Sequence, residues 1–206
     1  ALDLSGMQVH GQQPVRTGGL DDVGHQLGGD GIPGLVLPVL PGVPVVRNHG
    51  RDFMEWLCDI ISIPSPTGHE QAKGEWILNL LHQWGAAGAY RDAAGNVVYP
   101  CHVKSGEKVA LYTAHIDTVF QDLQEIHIRQ TGHILSAPSC SDNSASIAGL
   151  LFIIKMFHDL QLTPPQGLLF AFDVGEEGLG NLKGMRQVMA DWHGRIAEVV
   201  AVDCTF

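Results

Sequence analysis

Five side chains with metal-ligand chemistry stand at the ends of apolar runs: His115 in YTAHIDTVF, Asp142 in APSCSDNSAS, Glu176 and Glu177 in FDVGEEGLG, and Asp203 in AVDCTF. Carboxylates with an imidazole suit zinc, with cobalt or manganese as alternatives. His115 follows VALYTA and emerges where a strand should stop. Asp117, two residues on, is placed to accept the second ring N–H of a metal-bound imidazole. A structural histidine is the alternative. Asp142 precedes an apolar segment, so it reads either as a helix N-cap or as a ligand. One carboxylate has oxygens for both roles, and could bridge two metals. The adjacent Glu176 and Glu177 follow a buried strand, where unpaired charge is costly. One of them can bind a metal and the other act as general base on metal-bound water. A solvated acidic loop is the alternative. Gly175 and Gly178 would allow the backbone close approach. Cys204 beside Asp203, and Cys140 two residues before Asp142, are possible soft ligands but read as buried thiols. Two cysteines among carboxylates do not make a structural zinc site.

The elements that must position these groups follow from periodicity. Phe53, Trp56, Leu57, Ile60 and Ile61 share one helical face, and Pro64 and Pro66 end that helix. A second helix is predicted from about His69 to Trp84, with Trp76, Ile77, Leu80, Leu81 and Trp84 inward as core. NVVYPCHV and KVALYTAH, separated by a KSGEK turn, predict a hairpin. EIHIRQ and HILSA predict another. SASIAGLLFIIKMFHDL reads as an apolar helix, GLLFAFDV as a buried strand, NLKGMRQVMADW as a helix and EVVAVDCTF as a strand. Strands alternating with helices predict an α/β fold, a three-layer sandwich with a mostly parallel or mixed sheet and helices on both faces. Functional groups in such sheets collect at the carboxyl ends of strands.

Residues 1–48 form a Gly/Pro-rich arm, expected to be disordered or non-native sequence; residues 49–206 are the folded part. Residues 1–50 hold 11 of the 25 glycines and no lysine. Pro33, Pro38, Pro41 and Pro44 interrupt the apolar run GIPGLVLPVLPGVPVV. His10, His25 and His49 have no partner pattern. The formal charge of -10 argues against nucleic acid or an anionic membrane as partner. Four cysteines without a CxxC pair point to reduced thiols and a cytoplasmic protein. No apolar run reaches the roughly 18 residues of a membrane span. No GxGxxG follows the first strand, and GGLDDVGHQLGGDG lies in the arm, which argues against a nucleotide-binding module.

Four segments in order, SIPSPTGHE, TAHIDTV, SCSDNSASIAG and GEEGLGNLKG, resemble the motifs of the dinuclear zinc exopeptidases and deacylases that include peptidase T, carboxypeptidase G and acetylornithine deacetylase. The resemblance covers roughly residues 51–206, and GEEGLG looks most like the tripeptide-aminopeptidase members. It implies metal-dependent hydrolysis of a peptide or N-acyl amide bond by zinc-activated water, with two zinc ions in the complete enzyme. By the resemblance, His115, Asp142, Glu177 and Asp203 are metal ligands, Asp142 bridges, Asp117 orients His115, and Glu176 is the general base. Some carbamoyl-hydrolysing relatives have His where Asp203 stands, so Asp203 favours the peptidase and deacylase branch. The substrate would be a small peptide or N-acyl amino acid. The family's last His ligand follows an inserted domain used for homodimerisation, and both are expected to be missing. None of His127, His133, His158 and His193 has a matching context, and Cys140 stands where a small residue is common. The alternative is therefore an inactive fragment or a non-catalytic metal-binding remnant, and the isolated chain is expected to be inactive or nearly so.

Overall fold

A computed structural model describes residues 15–16, 43–121, 125–132 and 134–204. Much of the predicted arm, with His10 and His25, and also His133, lies outside the described residues, as does the side chain of His49.

Helix α1 spans Val43–Ser62. It therefore begins within the segment assigned to the arm. Pro44 is tolerated because it sits in the first turn, where a missing N–H costs nothing. Its inner face is the one the periodicity predicts: Leu57, Ile60 and Ile61 are fully buried. Helix α2 spans Gln71–Gln83 and buries Ile77 and Leu81. The indole of Trp84 lies against Trp56 with ring centroids 4.8 Å apart, closing the α1–α2 junction.

The main sheet has five strands, β2 (Tyr90–Arg91), β3 (Val97–Cys101), β4 (Val109–His115), β7 (Leu168–Asp173) and β8 (Ile196–Ala201), in the order β2-β3-β7-β4-β8. Strands β4, β7 and β8 are parallel, whereas β3 runs antiparallel to β7 and β2 to β3. The predicted hairpin of NVVYPCHV with KVALYTAH is not formed, because β7 inserts between them. All six residues of β7 are buried, and a strand apolar on both faces belongs inside a sheet, not at its edge. The second predicted hairpin is present: β5 (Arg129–Thr131) pairs antiparallel with β6 (Ile134–Ser136). The short β1 (Val15–Arg16) pairs with β6, making a separate three-stranded sheet.

Two helices complete the crossovers. Helix α3 (Ser146–Asp159) leads into β7, and α4 (Lys183–Asp191) leads from β7 to β8. The chain moves to one side of β4 to reach β7, then back past β4 to reach β8. Right-handed crossovers in opposite directions place their helices on opposite faces. The core divides accordingly. Ala110, Ala114, Phe170 and Phe172 pack with α1, α2 and α3, while Val109, Leu111, Leu169 and Ala171 pack with Val188 and Trp192 at the α4 side. The molecule is thus a three-layer α/β sandwich about a mixed sheet. The reversal of direction at β4 makes a crevice at its carboxyl end, where His115 stands.

One buried side chain fixes the loop after β7. Asn96, fully buried, accepts from the Val174 N–H at 2.9 Å and donates to the Gly184 carbonyl at 2.9 Å. It also donates to the Asp92 carboxylate at 2.6 Å. Asn96→Ala leaves two buried backbone groups unpaired, and should lower stability by about 3 kcal/mol. Denaturant unfolding of the two proteins measures this; a loss below about 1 kcal/mol would refute the role.

Candidate metal centre

His115 ends β4 with its ring buried, 4% exposed. Its Nδ1 lies 3.1 Å from the Asp117 backbone carbonyl and 3.6 Å from the Asp117 carboxylate. Its Nε2 points the other way, 3.1 Å from Asp142 Oδ1 and 3.7 Å from Asp203 Oδ1. The Asp117 carbonyl thus reserves Nδ1 as a donor and leaves Nε2 facing the carboxylates, the orientation a metal-binding imidazole requires.

Asp142 lies in a π-helical turn, Cys140–Ala145, where it and Asn143 leave helical geometry and the peptide between them is cis. Asp142 is not the N-cap of α3, which starts at Ser146 with no side-chain cap. Of its two predicted roles, the cap is excluded. The neighbouring Asn143 donates to the Val202 carbonyl at 3.0 Å, and the Val202 N–H bonds the Thr113 carbonyl at 2.8 Å. These two bonds hold the Asp142 turn, the end of β4 and the segment after β8 together.

Glu176 and Glu177 follow β7 in a turn opened by Gly175 at φ +66°. Added bulk at Gly180 would meet the Gly175 carbonyl oxygen at 2.5 Å, so this loop folds tightly on itself. The Glu176 and Glu177 N–H groups each bond the Asp117 carboxylate at 3.0 Å, and the Thr67 hydroxyl donates to it at 2.9 Å. The Asp117 carboxylate thus carries the Glu-Glu turn as well as facing the His115 ring.

Donor atoms of His115, Asp142 and Glu177 lie within 4.8 Å of one another, and so do those of Asp142, Asp203 and Cys204. The structure brings together the four predicted ligands, with Asp117 beneath them and Glu176 within electrostatic reach of His115, Asp203 and Asp142. Burial opposes charge on the His115 ring, but hydrogen bonds to Asp117 and Asp142 and the charge of Asp203 raise its pKa to about 11. Burial and then the Asp142 charge raise Glu177 to about 7. Glu176 is raised chiefly by burial. Carboxylates crowded around an imidazole favour a positive charge among them. Beside the turn, Asn143 Oδ1 and Ser144 Oγ are buried without a hydrogen-bond partner. Orphaned oxygens, an oriented imidazole and convergent carboxylates all fit a divalent metal.

Several residues here have no recognisable sequence signal. Thr67, in a Pro-rich loop, reads as a turn residue. Lys73 reads as a surface residue of α2 but is 1% exposed; burial lowers its pKa to about 8, against the pull of the Asp117 charge. Asp173, buried beneath the centre, accepts from the Thr113 hydroxyl, and burial raises it to about 6. Cys140 is buried as expected, but Cys204 is half-buried, not a buried thiol, and lies among the carboxylates. The side chain of His158 meets Tyr99 at 3.1 Å, far from the chemistry in role.

The fold and this donor set define an α/β protein with a candidate metal-binding cluster at the carboxyl ends of its parallel strands. Residues 111–205 match the model of peptidase family M20/M25/M40, which is generally metal-dependent, so the resemblance seen in the motifs holds over that segment. A relative from Pyrococcus abyssi, described as a LysW-lysine/LysW-ornithine hydrolase, is 32% identical over 134 residues, which is 65% of this chain and 35% of that protein. A tripeptidase from Staphylococcus aureus shares the fold with TM-score 0.60 at 20% identity, over 76% of this chain and 44% of its own. An aminoacylhistidine dipeptidase from Vibrio alginolyticus gives TM-score 0.55 at 22% identity, over 74% of this chain and 32% of its own. The chain spans about a third of the length of the relative it matches. No described helix is long and apolar enough to cross a membrane.

Asp117→Asn should weaken divalent-metal binding by about 10- to 100-fold, measured by chelator competition. Its pH signature has a definite sign. Burial would raise Asp117, but the His115 contact, the Glu176 and Glu177 N–H groups and Thr67 lower it from 3.8 to about 2. A depressed carboxyl stabilises the fold above its unfolded pKa and loses that contribution as pH falls through the folded one. The stability gap between the native protein and Asp117→Asn should therefore shrink as pH falls from 3.8 toward 2. An unchanged gap would exclude the ionised carboxylate as the tie.

Proposed function

We propose that this chain carries the catalytic centre of a metal-dependent hydrolase that cleaves the amide bond of a small peptide or N-acyl amino acid. The observation that carries the reading is the convergence of His115, Asp142, Glu177 and Asp203, from four separate segments, on one crevice with a free carboxylate beside them. His115, Asp142, Glu177 and Asp203 would hold zinc, two ions in the complete enzyme with Asp142 shared, and cobalt or manganese could replace it. When bound, the metal supplies Lewis acidity toward water and the substrate carbonyl.

The protein's own groups supply the rest. Asp117 keeps the His115 ring in one tautomer through its backbone carbonyl and, through its carboxylate, sets the backbone of Glu176 and Glu177. Glu176 is raised by burial, so its carboxylate is a stronger base than a solvated one. It takes the proton from the attacking water as oxygen adds to the carbonyl carbon. It then delivers that proton to the amide nitrogen as the C–N bond breaks, releasing a carboxylic acid and an amine. Glu177 is the natural ligand of the pair, because its carboxylate is the one grouped with His115 and Asp142.

The full gene product loaded with zinc or cobalt should hydrolyse tripeptides or N-acyl amino acids. Glu176→Gln should lower kcat by about a hundred- to ten-thousand-fold while metal content stays unchanged. Steady-state kinetics with metal analysis checks both. Bound metal with no hydrolysis of either substrate class would reject the reading.

A further inference from the structure

A cavity of about 550 Å³ opens beside the metal centre, between the loops after α1, β4 and β7. Thr67, Gly68, Val119, Leu179 and Lys183 line it, together with Glu177 itself. Small-molecule sites commonly span about 300–1,000 Å³. The walls are tied to one another. The Thr67 N–H bonds the Thr118 carbonyl at 3.2 Å, and the Thr118 N–H bonds the Ser65 carbonyl at 2.9 Å. The Thr67 hydroxyl and the Glu177 N–H meet on the same Asp117 carboxylate oxygen, at 2.9 and 3.0 Å. Two of the lining side chains are apolar. Leu179 is fully exposed and Val119 is 54% exposed, and among the described residues neither joins an apolar cluster. Leu179 stands in the 3₁₀ turn Gly178–Gly180, two residues past Glu177. The Gly180 N–H closes that turn on the Glu177 carbonyl at 2.8 Å, and Gly180 packs against Gly175. Tight backbone thus displays Leu179, which gains burial only when another apolar group covers it. The charges around the cavity balance. Glu70 lines it but already accepts the Gly68 N–H at 2.8 Å, and the Lys183 ammonium offsets that carboxylate. Glu177 belongs with His115 and Asp142. A charged group entering here would be buried without a net counter-charge.

We propose that this cavity receives the uncharged, apolar side chain of a substrate residue next to the scissile amide, with Leu179 and Val119 as its contacts. This rests on the hydrolase reading above and adds a substrate preference to it. Covering Leu179 and Val119 removes apolar surface of both partners from water. Leucine, methionine or phenylalanine is then favoured over glycine by about 10- to 100-fold. Both contacts determine specificity and are not catalytic, since neither can move a proton or hold a metal.

A substrate panel on the zinc-loaded full gene product separates the outcomes. Glycine, leucine, phenylalanine, lysine and aspartate are placed in turn at each residue flanking the scissile bond, and kcat/KM is measured. At one of the two positions leucine and phenylalanine should exceed glycine, lysine and aspartate by about 10- to 100-fold. Leu179→Ser and Val119→Ser should each cut that preference by about five-fold or more. Leu162→Ser, at an exposed leucine just past α3, should leave it unchanged. A second measurement needs no turnover. Titration calorimetry should show leucine or N-acetylleucine binding more tightly than its glycine counterpart, and Leu179→Ser should erase the difference. Hydrolysis without a side-chain preference, or with a preference for lysine or aspartate, would overturn the apolar subsite and leave the hydrolase reading standing. A preference that survives both substitutions would do the same, as would equal binding of the leucine and glycine compounds. Bound metal with no hydrolysis of any member of the panel would overturn the hydrolase reading and the subsite together.

Discussion

The Asp117 carboxylate is the joint on which the centre depends. One buried group accepts N–H bonds from both Glu176 and Glu177 and a hydroxyl bond from Thr67, while its own backbone carbonyl orients His115. It therefore ties three segments, the loop after α1, the end of β4 and the turn after β7. Charge-assisted bonds to backbone N–H groups are roughly twice as strong as neutral ones, and here they are shielded from water. Losing the charge would loosen the Glu-Glu turn, while the backbone carbonyl would still hold the imidazole. The buried Lys73 ammonium adds a distant favourable charge to the same carboxylate.

Around that joint the sheet topology does the aiming. The chain leaves β4 in one direction and returns past it in the other, so the carboxyl end of β4 opens into a crevice. His115 lies at that end, the glutamates at the end of β7 and Asp203 just past β8. The Asp142 turn enters from the start of α3 and is bound to the β8 end through Asn143 and Val202. Four acidic groups brought this close would repel each other in a neutral fold. Hydrogen bonds to Asp117 and Asp142 and the charge of Asp203 overcome burial and raise His115 to about 11, while burial first and the Asp142 charge second raise Glu177 to about 7.

The cost of the arrangement appears in the surrounding backbone. Gly175 at φ +66° and the close pass of Gly180 over it keep the glutamate loop tight. Asn96 binds the start of that loop and the start of α4 from the opposite side of β7. The loop carrying two acids is thus clamped by an amide on one side and by the Asp117 carboxylate on the other. Such clamping keeps like charges near each other.

The sequence by itself determined which local runs become helices and strands, and that acids and a histidine sit at their ends. Those features depend on near neighbours: the helical face of Leu57, Ile60 and Ile61, the apolar run of β7, the acids that follow it. The motif order also carried the family resemblance, which the family model matches over residues 111–205, because acids and a histidine at the ends of successive strands are written along the chain. Only the tertiary structure decided the strand order, in which β7 separates β3 from β4 and replaces an expected hairpin. It alone showed that Asp142 caps no helix, that Asp117 also holds the glutamate turn, and that Cys204 lies beside the Asp142 and Asp203 carboxylates. The physical reason is separation. Asp117 and Glu176 are 59 residues apart, and Asn96 and Val174 are 78 apart. No local period records which distant backbone group a buried polar side chain will satisfy.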